Sequence, residues 1–297
     1  MAEVLQNLSN DLAATVETAS RSIVRVEGRR RMAASGIVLA EDGLIVTAHH
    51  VVERDENIRI GLPNGEKVTA TLVGRDPTTD IAVLRVESGG LTPANWLTDG
   101  AKVGHLVLAI GRPDDDVQAT LGIVSAVGEA WRTSAGGTID SYLQTDVVMY
   151  PGFSGGALVS AGGQILGMNS SALARGVSLT LPAATIQRVA QTLQQHGRVR
   201  RGFLGVSAQP VRLPANIAET VEQDSGLLVA GVESNSPAEQ GGLLLGDTLI
   251  ALDGQPVRHM DDLLAALSGD RVGKAVTARI VRGGQTQDLN LTIGERQ

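Results

Sequence analysis

Cysteine is absent from this 297-residue sequence. That excludes disulfide staples, a thiolate nucleophile and any zinc site built on sulfur. Aromatic residues are scarce as well: Phe, Trp and Tyr together make up 2% of the chain. Its cores must therefore be assembled from Val, Leu, Ile and Ala. No apolar run approaches the roughly 18 residues that a membrane-spanning helix needs. The opening residues, Met1 to Asn7, lack both the basic region and the apolar core of an export leader. On the sequence as it stands, a cytoplasmic location is the expectation. Positive charge is also in short supply. The formal net charge of −7 argues against nucleic acid as a main partner. The run Arg29-Arg30-Arg31 is a local exception and reads as a solvated loop.

What the chain does have is glycine, 36 of them, with 42% hydrophobic and 19% charged residues. This is the make-up of a folded, turn-rich protein, long enough for two domains. Leu5, Leu8, Leu12 and Val16 recur at helical spacing. They predict an N-terminal helical segment over 1–20, either packed on its own domain or serving as an oligomerisation arm. Short strands follow, from Ser22 onward. Ser35–Ala40 and Leu44–Ala48 flank Asp42-Gly43, a type I′ hairpin signal. Asn57–Leu62 and Lys67–Gly74 flank Pro63-Asn64-Gly65, a second hairpin. Further strands are expected at Asp80–Val86, His105–Ile110, Ala119–Val127, Ser141–Thr145, Gly156–Val159, Gln164–Asn169 and Val177–Leu181. Strands spaced this regularly without long intervening helices predict barrels or sandwiches. A helix starts at Pro182 and stops at Gly197. The sequence thus divides into a first domain over 21–197, a polar linker over 198–202 and a second domain over 203–297.

The chemistry centres on Gly152-Phe153-Ser154-Gly155-Gly156. Glycines around a serine allow a tight bend and expose N–H groups that could stabilise an oxyanion. A serine needs a base to become a nucleophile. Of the five histidines, only His49 and His50 stand in an informative place, at a strand end. Side chains alternate along a strand, so at most one of the pair faces a given site. Metal binding is weakly supported, because no His-Glu-x-x-His or third clustered ligand occurs. Asp80 abuts an apolar strand, where a carboxylate needs a partner. Asp76, before Pro77, reads as turn chemistry.

Thr47-Ala48-His49-His50 resembles the Thr-Ala-Ala-His of chymotrypsin-like serine proteases, whose histidine is the fourth residue, and this register selects His50. Gly74-x-Asp-x-x-x-Asp80-Ile-Ala-Val-Leu, Gln144-Thr145-Asp146 and Gly152-Phe-Ser-Gly-Gly resemble the high-temperature-requirement (HtrA, or Deg) branch of that family. The resemblance implies a mainly β, chymotrypsin-like double barrel. It makes Ser154 the nucleophile, His50 the base and Asp80 its orienting acid. The Gly152 and Ser154 N–H groups become the oxyanion hole, and Val148 and Met149 an apolar S1 pocket suited to medium apolar side chains. Phe153 stands where the family usually has Asn; it is expected at the rim of the site, where a ring could tune or obstruct it.

The second domain resembles an α+β PDZ domain through Ser236-Pro237-Ala238-Glu239-Gln240-Gly241-Gly242-Leu243 and Leu245-Gly246-Asp247-Thr248-Leu249-Ile250-Ala251-Leu252-Asp253-Gly254. Phe203-Leu204-Gly205-Val206 then corresponds to the carboxylate-binding loop. Taken together, the resemblance implies a cofactor-free endopeptidase for unfolded or damaged proteins, active in quality control and stress response. Hydrophobic C-terminal peptides would bind the PDZ domain and regulate it. A homotrimer is implied, without a larger cage, because Glu27–Ala34 is short. So is an extracytoplasmic site of action, if a leader precedes residue 1. The rival expectation is a catalytically impaired peptide-binding scaffold or chaperone-like protein.

Overall fold

A computed structural model describes residues 2–30, 32–98, 100–133, 135–173, 177–199, 202–267 and 271–295. The chain divides into two compact units, Met1–Val199 and Arg200–Gln297. The expected linker is shorter than 198–202. Val199 still packs against the core of the first unit, and Gly202 already pairs with Glu295 in the second.

Alternating β-branched residues dictate the first barrel. Its strands are β1 (Ile23–Glu27), β2 (Ala34–Ala40), β3 (Leu44–Ala48), β4 (Ile58–Gly61), β5 (Lys67–Asp76) and β6 (Ile81–Val86), closed in the order β1-β2-β3-β6-β5-β4. Ile23, Ile37, Ile45, Ile58, Ile60, Ile81 and Leu84 fill it with no exposed surface. β7 (Leu106–Gly111) and β8 (Gln118–Gly128) begin the second barrel, and a small hairpin, β9 (Trp131–Arg132) and β10 (Thr138–Ile139), follows. β11 (Tyr142–Thr145), β12 (Ala157–Ser160), β13 (Ile165–Ser170) and β14 (Ser178–Pro182) close it as β11-β14-β13-β12-β7-β8. Helix α1 (Ala2–Ser20) splits its apolar stripe. Leu12, Val16 and Ala19 pack on the core, while Val4, Leu5 and Leu8 stay exposed. Helix α2 (Ala183–His196) buries Ile186, Val189, Ala190 and Leu193 and ends at Gly197 in the left-handed conformation. Arg112, buried between barrels and helix, donates to Ser20 O, Ile23 O and Asp115 O.

The turn at Asp42-Gly43 is not type I′. Only Gly43 has positive φ, +90°, and its N–H donates to Ala40 O at 3.3 Å. This is a type I turn closed by a left-handed glycine, the three-residue hairpin. Gly65, with φ +87° and its N–H bonded to Leu62 O, repeats the device between β4 and β5. The difference is physical: Glu41 begins the turn one residue earlier, so Asp42 keeps an ordinary φ.

In the second unit β15 (Gly202–Phe203) leads into β16 (Val206–Arg212), α3 (Ala215–Val221) and β17 (Ser225–Val232). α4 (Pro237–Gln240), β18 (Thr248–Leu252), β19 (Gln255–Pro256), α5 (Met260–Ala266), β20 (Ala275–Arg282), β21 (Gln285–Thr292) and β22 (Gly294–Glu295) complete it. The sheet runs β16-β17-β18-β20-β21, with β19 beside β18, so β16 is an edge strand with α5 packed against it. α4 is short because Ser236 caps it through Glu239 N, Pro237 opens it and Gly241 ends it.

A Cβ at Gly43 would lie 2.0 Å from Val86 O, at a φ that side chains rarely adopt. Gly43→Ala is therefore expected to cost about 2–4 kcal/mol, read as a lower urea midpoint with unchanged m-value.

Candidate active site

The site forms where the two barrels meet. β3 delivers His49 and His50 into a 3₁₀ turn, His49–Val51. His50, not His49, meets the acid. Its Nδ1 lies 3.0 and 2.9 Å from Asp80 Oδ1 and Oδ2, and its backbone N–H donates to Oδ1 at 2.9 Å. Asp80 is 4% exposed and adopts φ +58°. That unusual backbone is held because His49 N–H bonds Asp80 O at 3.0 Å. The preceding turn is braced by Asp76, whose carboxylate accepts from Thr78 N, Thr78 Oγ1 and Thr79 Oγ1. Ser170, at the end of β13, donates to Asp80 Oδ2 at 2.5 Å. A buried carboxylate with three donor groups converging on it is fixed in direction.

Ser154 sits on a turn shaped by its glycines. Phe153 N–H donates to Tyr150 O at 3.0 Å, with Gly152 at φ +92°. Pro151 at the second and a positive-φ glycine at the third position make this a type II turn. The N–H groups of Gly152 and Ser154 have no acceptor among the described residues. First-barrel residues grip the turn. Ser35 Oγ donates to Gly152 O at 2.8 Å and accepts from Arg112 N; Ser35 N–H bonds Ser154 O; Thr47 Oγ1 donates to Ser35 O. Gly155, at φ +84°, has no room for a side chain, since a Cβ would lie 2.1 Å from Ser35 O.

Phe153 is not at the rim. Its ring is fully buried in the second barrel with Val107, Ala109, Leu158 and Leu166, and stands edge-on to Tyr150 at 5.7 Å. With glycine on one side and serine on the other, the apolar ring is the group that turns inward. Of the proposed pocket residues, Val148 is exposed and Met149 half-buried against the cluster that holds Phe153.

No hydrogen bond among the described residues joins the Ser154 hydroxyl to His50. Its Oγ lies 3.0 Å from Ser171 Oγ, its one hydrogen-bond partner among the described residues. Ser35, Ser170 and Ser171 were missed in the sequence. The available signal was a Ser-Ser pair ending an apolar strand. The small hairpin β9–β10 also leans on the site, because Thr133 Oγ1 donates to Thr78 O at 2.7 Å. Its far end is tied to α2, where Asp140 accepts from Thr185 Oγ1 and Arg188.

In the second unit, Leu204 is buried in the core, Gly205 has φ +80°, and Val206 starts the edge strand β16. Leu204 O and Gly205 O accept from Ala238 N and Glu233 N, whereas the Leu204 and Gly205 N–H groups find no acceptor among the described residues.

Burial, with the Arg75 charge second, holds His49 below its ordinary pKa of 6.5. The unfolded chain then binds more protons than the folded one as pH drops below 6.5. This stability term is complete above 6.5 and is lost as pH falls through the lowered folded value. His49→Gln should flatten the acid-side decline in Tm, checked by melting curves from pH 7 to 5.

Residues 34–168 match the trypsin-like peptidase domain family and residues 202–293 the PDZ domain family. A probable periplasmic serine endoprotease, DegP-like, from Pseudomonas putida (strain GB-1) is 38% identical over 268 residues, 88% of this chain and 55% of the relative. One of the same description from Chlamydia trachomatis is 34% identical over 276 residues, 91% of this chain and 55% of the relative. The chain thus spans about half the length of the curated relatives it matches. Among solved structures, the HtrA-type protease AlgW with tripeptide shares 32% identity at a TM-score of 0.76, covering 96% of this chain and 97% of that one. The serine endoprotease from Yersinia pestis gives 29% identity and a TM-score of 0.77, covering 95% and 98%. Matching these proteases across both units, in sequence and in backbone, the chain belongs to the HtrA-type serine protease family.

Proposed function

We propose that this chain is a serine endopeptidase that hydrolyses peptide bonds in unfolded or damaged proteins. The observation that carries the reading is the contact of His50 Nδ1 with both Asp80 oxygens, beside a serine whose turn offers two unpaired N–H groups. Asp80 holds the proton on Nδ1, which leaves Nε2 as the base. Ser154 gives its proton to Nε2 as Oγ attacks the scissile carbonyl. The oxygen that gains charge is received by the N–H groups of Gly152 and Ser154. His50 then protonates the departing amine, and water repeats the sequence on the acyl-enzyme. A type II turn supports this, because its middle peptide is rotated by about 180° from that of type I. Val148 and Met149 bring no charge to the acyl side, which favours cleavage after medium apolar residues. The burial of the Phe153 ring supports this reading over a scaffold silenced by an obstructing side chain.

The PDZ loop Phe203–Val206 is read as the receptor for a hydrophobic C-terminal peptide. Such a peptide adds a strand to the free edge of β16 while its carboxylate takes the Leu204 and Gly205 N–H groups. Occupancy regulates the protease through the loop 129–140. A homotrimer completes the reading, with the exposed Val4, Leu5 and Leu8 as apolar contact surface. Light scattering is expected to return three times the chain mass. The compartment is extracytoplasmic, by kinship with relatives named periplasmic.

A fluorophosphonate probe should label the protein but not Ser154→Ala. The variant should lose at least about 10⁴-fold in casein turnover. Peptide pools should be cut after Val, Leu or Ala and spared after Lys or Arg. No labelling of the native chain, even with casein present, would refute the enzyme. Turnover should rise with a peptide ending in a free apolar carboxylate and stay unchanged with the same peptide amidated. Equal effects of the two would refute carboxylate capture.

A further inference from the structure

This inference rests on the proposed role of Ser154 as nucleophile. Asp80 is held by three donor groups, His50 is aligned on it, and the turn before Ser154 has its two N–H groups free. One element is out of line. The Ser154 hydroxyl is hydrogen-bonded to Ser171 Oγ at 3.0 Å, and no bond joins it to His50 among the described residues. Ser171 is a well-anchored partner. It follows Ser170, whose hydroxyl donates to Asp80 and accepts Ala172 N–H at 3.2 Å, which clasps the backbone on both sides of Ser171. Ser154 itself is 8% exposed and its backbone is pinned by Ser35. The remaining freedom is rotation of the serine about χ1, among three staggered positions.

We propose that Ser171 is a positioning residue that holds the nucleophile in a resting rotamer, turned away from its base. Acylation begins when the Ser154 hydroxyl leaves Ser171 for His50 Nε2, a single torsion with no rebuilding of the oxyanion turn or of the His50–Asp80 pair. Ser171 touches no reacting bond; it sets the fraction of molecules ready to react. The bias is that of one neutral hydrogen bond, roughly two- to tenfold in the population of the reactive rotamer.

Removing the hydroxyl should therefore speed the reaction. With Ser171→Ala, inactivation by a small fluorophosphonate is expected to be two- to tenfold faster than in the native chain. With a peptide substrate cut in the same assay, kcat should rise by the same factor while KM stays put. Ser171→Thr keeps a hydroxyl and should return the rate to the native value. Melting curves check that all variants remain folded, because a loosened loop would lower Tm and slow the reaction together. An unchanged or slower rate in folded Ser171→Ala would overturn the proposal, as would a Thr variant that behaves like Ala. Absence of labelling in the native protein would instead strike the endopeptidase reading, so the two failures are distinguishable.

Discussion

The grip of Ser35 on the turn before Ser154 is the constraint on which the rest of the candidate site's geometry depends. One fully buried hydroxyl accepts from Arg112 N and donates to Gly152 O, while the same residue's N–H bonds Ser154 O. The first barrel thereby sets the turn that the second barrel carries. Thr47 reinforces the link by bonding Ser35 O from the strand that leads into His50. His50 and Ser154 are thus referenced to the same few atoms, although they come from different barrels. Gly155 makes this close approach possible, since any side chain there would strike Ser35 O.

A second set of contacts aligns the acid. The positive φ of Asp80 is a strained backbone for a residue with a side chain. It persists because the surroundings over-determine it: Asp76 braces the preceding turn, His49 N–H bonds Asp80 O, and Ser170 reaches across from the other barrel. The β9–β10 hairpin adds a contact through Thr133 to Thr78 O. A segment that looks like a surface loop in sequence is therefore continuous, through a short chain of hydrogen bonds, with the orientation of the His50 imidazole.

Much of this was legible in the residues. The alternation of Val, Ile and Leu gave the strands of both barrels. The Thr-Ala-His-His, Asp-Ile-Ala-Val-Leu and Gly-Phe-Ser-Gly-Gly segments singled out His50, Asp80 and Ser154. What escaped was of another kind. Ser35 acts on Gly152 across 117 residues of sequence, and Ser171 on Ser154 across 17. Small hydroxyl residues in such roles carry no periodicity and no spacing rule, because folding alone creates their partners. The first hairpin was misread for a local reason: Gly43 fits both the two- and three-residue turn, and its neighbour's φ decides between them. Phe153 was misread because sequence fixes adjacency to Ser154 but not direction.

That direction has a consequence for how the protein fails. The Phe153 ring is part of the second barrel's core, and its two chain neighbours carry N–H groups without an acceptor among the described residues. The turn therefore belongs to the same cooperative unit as the barrel, unlike a surface loop that frays on its own. Its bonded amide proton, that of Phe153, should exchange only when the barrel opens. As the protein is heated, the site loses its shape at the temperature at which the barrel unfolds and not before.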